Sequence, residues 1–121
     1  MNTAELVYYF APRIGIGTLV IGILAVIRPE PMSKKFGIAV SASALPYVIS
    51  TGVRDIFIGL TVLVLFYRQE WFTLGFINIC IGVVATSDFL VVRKHGDTKT
   101  SLAHLFGAVI VVTFGIWLIC K

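Results

Sequence analysis

Charged residues are scarce in this chain. Only 13% of its 121 residues are Asp, Glu, Lys or Arg, about half the share found in an average soluble domain. These charges fall into a few short runs, and the stretches between them approach the length of about 20 apolar residues that a membrane-spanning helix needs. The composition therefore argues against a soluble domain and predicts a multi-pass integral membrane protein in the lipid bilayer, with one domain over residues 1–121.

Cysteine pairs and metal-ligand clusters are also missing from the sequence. Cys80 and Cys120 are solitary and form no C-x-x-C motif, which disfavours thiol redox chemistry. His95 and His104 have no neighbouring ligand residues at metal-binding spacing. The basic residues are not interleaved with aromatic ones as in nucleic-acid-binding proteins. We therefore expect no metal, no cofactor and no nucleic-acid partner.

Four apolar segments predict an all-α, antiparallel four-helix bundle within the membrane, since most of their connections are short. The uncharged run at residues 14–27 is too short to cross a bilayer core of about 30 Å. The first helix must therefore extend upstream through Arg13. The predicted helices span residues of about 5–27, 47–67, 71–92 and 101–119.

Polar or small residues occupy the segments between the predicted helices. Residues 28–35 read as a polar loop that two prolines hold extended. The small residues of 36–45 suggest a segment at the membrane interface. Residues 68–70 predict a tight turn, and residues 93–100 predict a second polar loop. Pro46 suits the first turn of the second helix, because an N–H is not needed there.

Lysine and arginine favour one side of the predicted bundle. The 28–35 and 93–100 segments carry six of them, whereas the other side has Arg68 and Lys121. The positive-inside rule then places the first side in the cytoplasm. Both chain termini would be non-cytoplasmic, and a eukaryotic version would belong in the endoplasmic reticulum membrane.

Small residues recur on one side of each predicted helix. Such faces let helix backbones approach closely in lipid. They predict compact packing, and they leave open whether copies of the chain form a homo-oligomer. The residues are Ala11, Gly15, Thr18, Gly22, Ala25, Gly52, Gly59, Gly75, Gly82, Ala85, Gly107, Ala108 and Gly115.

Four ionisable residues are predicted at one depth, near the cytoplasmic ends of three helices. They are Arg54, Asp55, Asp88 and His104. A charged side chain at a helix centre costs about 2.5–3.5 kcal/mol on insertion, so these groups should face the interior and pair. One interpretation is structural: Arg54 pairs with Asp88, and His104 donates to Asp55, to fix the helix register.

The other interpretation of the same residues is chemical. In a low-dielectric pocket, two carboxyl groups beside an arginine hold different protonation states, so one can act as general acid and the other as general base. Such a set suits the opening of an epoxide on a lipophilic molecule that enters from the bilayer. The candidate catalytic residues are Asp55, Asp88, Arg54 and His104. The candidate substrate-binding residues are Arg13, Tyr47 and Asn78.

Arg13 and Asn78 also have simpler explanations. Arg13 in a spanning helix can be an anchor whose guanidinium extends to the membrane surface, and the expectation that it points inward competes with that reading. Asn78 can serve as an interhelical hydrogen-bonding group.

The segments GVRDIFIGL, ATSDFLVV and HGDTKTSLAHLFGA resemble a family of small four-helix membrane proteins of unknown function, often fungal and DoxX-like in architecture. The resemblance covers roughly Gly52 to Gly115. It suggests a link to membrane-bound epoxide hydrolases and cyclases of natural-product biosynthesis. The matching positions are Gly52, Arg54, Asp55, Gly59, Asp88, Gly96, His104 and Gly107.

Two functions of different classes are consistent with the sequence. The first is a cofactor-independent enzyme, an epoxide hydrolase, cyclase or isomerase, acting on a lipophilic small-molecule substrate. The alternative is a non-catalytic membrane component, either a partner-binding subunit or a small-molecule carrier. The two differ in whether the charged groups line an open pocket or close on one another.

Overall fold

A computed structural model describes residues 2–121 of the chain, and the regular structure in that range is helical. Four of the helices are long and apolar enough to cross a membrane, which confirms the predicted all-α membrane bundle. The helices are α1 (Thr3–Ile27), α2 (Pro29–Phe36), α3 (Leu45–Tyr67), α4 (Trp71–His95) and α5 (Thr98–Ile119), with a short 3₁₀ turn at Ala42–Ala44 before α3.

Helices α1 and α5 begin before their predicted bounds because polar side chains cap their first turns. At the start of α1, the Asn2 side chain accepts from the Glu5 N–H at 3.0 Å, and the Glu5 carboxylate accepts from the Asn2 N–H at 3.0 Å. This reciprocal capping box satisfies two N–H groups that have no partner within the helix. The helix consequently begins at Thr3.

The predicted loop at 93–100 shrinks to two residues. Arg93, Lys94 and His95 form the last turn of α4, where positive charge complements the helix dipole. Asp97 caps α5, accepting from the Thr100 hydroxyl at 2.7 Å and from the Lys99 N–H at 3.1 Å. Both hydrogen bonds lower the pKa of Asp97 below its usual value, and the bond from Thr100 has the larger effect. The prediction of a long loop here was wrong because its basic residues belong to the last turn of α4 and Asp97 caps α5.

The predicted extended loop at 28–35 was also wrong, because most of this segment is helix α2. Pro29 and Pro31 both fall in the first turn, where a backbone N–H has no partner within the helix and a proline is tolerated. Gly37 ends α2 in the left-handed conformation, with φ of 115°, and the Ile38 N–H donates back to the Ser33 carbonyl at 3.1 Å. The segment 36–45 therefore begins as the end of a helix and closes as a 3₁₀ turn.

Helices α1 and α3 pack antiparallel through glycines. A Cβ atom built on Gly52 would lie 2.7 Å from the Gly22 carbonyl oxygen, and one on Gly59 would lie 2.7 Å from the Gly15 carbonyl oxygen. At this separation there is no room for a side chain between the backbones. The predicted small-residue faces of these two helices therefore form their interface.

Helices α4 and α5 pair in the same way. A Cβ on Gly75 would lie 2.8 Å from the Gly115 carbonyl oxygen, and Gly82 faces Val112 and the carbonyl of Ala108. A Cβ on Gly107 would meet nothing within 4 Å, so this glycine lies outside the interface although it belongs to the predicted small-residue set.

The two helix pairs meet at the end of the bundle that holds the Arg68–Glu70 turn and both termini. An apolar cluster joins all four long helices there. At the opposite end a cavity lies between the pairs and beneath α2. The residues of the cluster are Val7, Ala11, Val62, Leu74, Phe114 and Leu118.

Candidate functional site

A cavity of about 550 Å³ lies at the end of the bundle that carries α2. Its volume is in the range of small-molecule binding sites. Every long helix and α2 contribute to its wall, so the cavity exists only in the assembled fold. Most of the wall is apolar. The polar and charged residues that line it are Ser33, Lys35, Tyr47, Thr51, Arg54, Asp55, Asp88 and His104.

Arg54 connects two carboxylates that belong to different helices. Its Nε and one terminal nitrogen donate to Asp55 Oδ1 at 3.2 and 3.1 Å. The same terminal nitrogen lies 3.8 Å from Asp88 Oδ2. The Asp55 and Asp88 side chains are 16% and 22% exposed, whereas that of Arg54 is 39% exposed. One guanidinium therefore serves two half-buried carboxyl groups on the cavity wall.

His104 lines the same cavity but has a different partner from the one expected. Its Nε2 lies 2.9 Å from the carbonyl oxygen of Phe36, and its ring contacts the Phe36 ring with centroids 4.6 Å apart. Since a carbonyl only accepts, Nε2 must carry the proton, and Nδ1 of the neutral ring is an acceptor. The expectation that His104 donates to Asp55 was therefore wrong, because Nε2–H donates instead to the Phe36 carbonyl oxygen at the end of α2.

The end of α2 is held over the cavity by two contacts from α5 and its cap. One is the His104 hydrogen bond, and the other runs from the Asp97 N–H to the Gly37 carbonyl oxygen at 3.0 Å. The cavity-lining residues Met32, Ser33 and Lys35 were missed because residues 28–35 were read as a polar loop, and Phe36 was missed because residues 36–45 were read as a segment at the membrane interface. The apolar pair Met32 and Phe36, four residues apart and followed by glycine, was the available signal of a short helix with an inward face.

The three candidate substrate-binding residues separate in the structure. Tyr47 lines the cavity and is 77% exposed. Asn78 is fully buried, and its Nδ2 donates to the Leu74 carbonyl oxygen at 2.8 Å. Its Oδ1 has no partner among residues 2–121. Asn78 is thus an interior residue of α4 outside the cavity.

Arg13 lies away from the cavity, and the expectation that it points inward was wrong. It is exposed, donates to the Tyr9 carbonyl oxygen at 2.8 Å, and lies over the Tyr9 ring at 3.9 Å. Ala11 and Gly15 face the interior of the bundle, and Arg13, two residues from each, lies on the other side of α1. The geometry is that of an anchor at the outer surface of α1.

Within residues 2–121, no three His, Cys, Asp or Glu side chains are grouped so that they could hold a metal ion. The chemistry that the cavity wall itself offers is proton transfer. It has two carboxyl groups, one guanidinium, and an imidazole whose tautomer is set by a backbone carbonyl.

We expect Gly96→Ala to loosen the end of α2 from the cavity, because an added Cβ would collide with the Gly37 carbonyl group. That collision is with backbone, so the segment after α2 must move as a whole. Hydrogen exchange of the amides at residues 37–44 measures the effect and should become faster. Gly107→Ala is the matched control, since its Cβ meets nothing within 4 Å. Equal exchange in the two variants would contradict a tethered α2.

The chain belongs to the family described as Domain of unknown function (DUF4267), whose sequence profile matches residues 15–118. The expected membership in a family of small membrane proteins of unknown function is thereby confirmed. The match gives no relation to DoxX-like proteins or to epoxide hydrolases. Comparison with curated proteins and with solved structures gave no match.

Proposed function

We propose that this member of the DUF4267 family is a membrane-embedded acid/base enzyme acting on a lipophilic small molecule, most concretely an epoxide hydrolase or cyclase of a biosynthetic pathway. The observation that carries the proposal is the bridging of Asp55 and Asp88 by Arg54 on the wall of an open, mainly apolar cavity. Carboxyl groups in such surroundings can hold different protonation states and divide the acid and base roles.

The roles of the two carboxyl groups follow from their distances to Arg54. Asp55 accepts two guanidinium hydrogen bonds, and such bonds favour the ionised form. Asp55 is therefore the general base. Asp88 lies farther from the guanidinium, at 3.8 Å, and is the general acid.

In the proposed reaction, protonated Asp88 gives its proton to the epoxide oxygen as one ring C–O bond breaks. Asp55 takes a proton from water, or from a hydroxyl of the substrate, as that oxygen forms a new C–O bond to the ring carbon. The products are a diol or a cyclic ether. Transfer of one proton from Asp55 to Asp88 then restores the starting state. His104, with Nδ1 as acceptor, orients the substrate or water hydroxyl.

A lipophilic substrate reaches these groups from the bilayer. The cavity wall includes apolar residues of α1 and α3, such as Ile21 and Val48, and the exposed ring of Tyr47. The substrate therefore need not pass through water. Incubation of the purified protein with lipophilic epoxides in isotopically labelled water tests the proposal, because hydrolysis places one labelled oxygen in the product. Absence of both diol and cyclic ether across the panel would count against it.

A non-catalytic membrane component is the second candidate, and one observation favours it. Arg54 already pairs with both carboxylates, so the charges can satisfy each other without any substrate. A partner-binding subunit or a small-molecule carrier would use the cavity for binding alone. Ligand binding without conversion would support this second candidate.

We further propose that the α2 end of the bundle faces the cytoplasm, with both termini on the other side, and that a eukaryotic version lies in the endoplasmic reticulum membrane. The support is the basic character of this end, where α2 and the last turn of α4 carry Lys34, Lys35, Arg93 and Lys94.

Cysteine labelling tests this orientation. In a background of Cys80→Ser and Cys120→Ser, an impermeant maleimide should modify Lys34→Cys and Thr98→Cys from the cytoplasmic side, since both positions are exposed. Glu70→Cys, in the turn between α3 and α4, should react only from the opposite side. Reaction of Lys34→Cys and Thr98→Cys from different sides would contradict the proposed topology.

A further inference from the structure

Lys35 is a charged residue of the cavity wall that the proposed reaction does not use. It is exposed at the last turn of α2, whereas the carboxyl groups of Asp55 and Asp88 are half-buried. Both ion pairs found among residues 2–121 belong to Arg54, so the Lys35 ammonium has no carboxylate partner there. The cavity thus has an inner charged group and a separate cation at its outer edge.

Most of the remaining cavity wall is apolar. It includes Ile21, Ala25, Met32, Phe36 and Val48. A ligand that matches the whole wall needs an apolar body and one anionic group at an end. A neutral lipophilic molecule would leave Lys35 without a partner, and a water-soluble anion would leave the apolar wall uncovered.

The charge of the surrounding surface favours the same ligand. Arg28, Lys34, Arg93, Lys94 and Lys99 all lie at the end of the bundle that holds the cavity. A surface dominated by one sign of charge raises the local concentration of ligands of the opposite sign. An acid with a long apolar body would therefore be enriched at this end and oriented with its acid group outward.

We propose that the cavity takes an anionic amphiphile, a lipophilic molecule bearing one carboxylate, and that Lys35 binds the carboxylate. This inference rests on the proposed function, because it takes the same cavity as the substrate site, and it adds the class of substrate. The reactive ring of the substrate would then lie along the apolar body, away from the acid group, where it meets Asp55 and Asp88.

Photolabelling in nanodiscs of phosphatidylcholine tests this proposal. The probes are a long-chain fatty acid with a diazirine near the chain end and the matched long-chain alcohol. The acid should label the wild-type protein more strongly than the alcohol. Lys35→Gln should lower labelling by the acid about tenfold, the effect of losing one charge-assisted hydrogen bond, and should leave labelling by the alcohol unchanged.

Two variants on the same helix turn control for charge and for folding. Lys34→Gln removes the same charge from a neighbouring position that does not line the cavity, so labelling by the acid should stay at the wild-type level. Lys35→Arg keeps the cation and should keep labelling by the acid. Equal labelling by acid and alcohol, or equal losses in Lys34→Gln and Lys35→Gln, would overturn the proposal.

A lipid headgroup could supply the same anionic chemistry, and a second arm separates it from a free acid. Phosphatidylglycerol replaces part of the phosphatidylcholine. If it suppresses labelling of the wild type but not the residual labelling of Lys35→Gln, Lys35 binds a lipid phosphate and the proposal is overturned. The readout for Lys35 is labelling, whereas the acid/base function is tested by substrate conversion in the Asp55 and Asp88 variants. A failure of the Lys35 proposal is therefore distinguishable from a failure of the proposed function.

Discussion

Asp55→Asn and Asp88→Asn should each lower the rate of substrate conversion by about 10²–10⁴-fold, the usual contribution of a positioned acid or base. Asparagine keeps nearly the volume of aspartate and still hydrogen-bonds, but it neither donates an acidic proton nor accepts one. The fold should survive either change. Arg54 contacts both carboxyl groups, so each single variant leaves it one partner.

The double variant separates the catalytic role from the structural one. Removing one partner of a buried ion pair costs about 3–5 kcal/mol when the remaining charge is left alone. Arg54 is 39% exposed, so solvent reduces that cost here, and only the double variant should lose measurable stability. Gel filtration and thermal denaturation in detergent monitor folding, while product formation monitors activity.

Glu30→Gln is the matched control for these variants. It removes a carboxylate from α2 at an exposed position that does not line the cavity, so conversion should stay at the wild-type rate. If both single aspartate variants fold and still form product, the acid/base assignment is wrong. If both fail to fold, the carboxylates serve the structure and the non-catalytic alternative gains support.

The sequence predicted the charged site because the membrane restricts where charges can lie. Counting residues from the helix ends placed Arg54, Asp55, Asp88 and His104 at one depth, and the structure brings all four to one cavity. The glycine-rich faces were predictable for a similar reason, since close helix approach in lipid requires small residues at regular spacing. Both predictions needed only helix geometry and the cost of burying charge.

The parts that sequence could not give depend on contacts between distant segments. The partner of His104 is the backbone carbonyl of Phe36, the last residue of α2. This helix is short and contains no long apolar run that would predict it from the sequence. Arg13 was misplaced although the pattern of α1 itself argues against an inward position. It lies two residues from both Ala11 and Gly15, about 200° around the helix from the small-residue face that packs on α3.

Gly52→Ala and Gly59→Ala should separate α1 from α3. A Cβ at Gly52 would lie 2.7 Å from the Gly22 carbonyl oxygen, and one at Gly59 would lie 2.7 Å from both the Gly15 carbonyl oxygen and the Leu19 nitrogen. These neighbours are backbone atoms, so no side chain can move aside. Overpacking of this kind costs about 1–3 kcal/mol, which exceeds the gain of up to about 1 kcal/mol from alanine in a helix.

Gly82→Ala and Gly17→Ala complete a graded series. At Gly82 the added Cβ collides with a methyl group of Val112, a β-branched side chain that changes rotamer in a helix only at some cost. At Gly17 the added Cβ meets nothing within 4 Å. Thermal denaturation in detergent should therefore rank Gly17→Ala as neutral or stabilising, Gly82→Ala as intermediate, and the α1–α3 variants as least stable. The α1–α3 variants should also weaken ligand binding, because α1 and α3 together form one side of the cavity, with Ala25 on one helix and Asp55 on the other. Equal stability of Gly17→Ala and Gly59→Ala would show that backbone contact between α1 and α3 does not hold the cavity in shape.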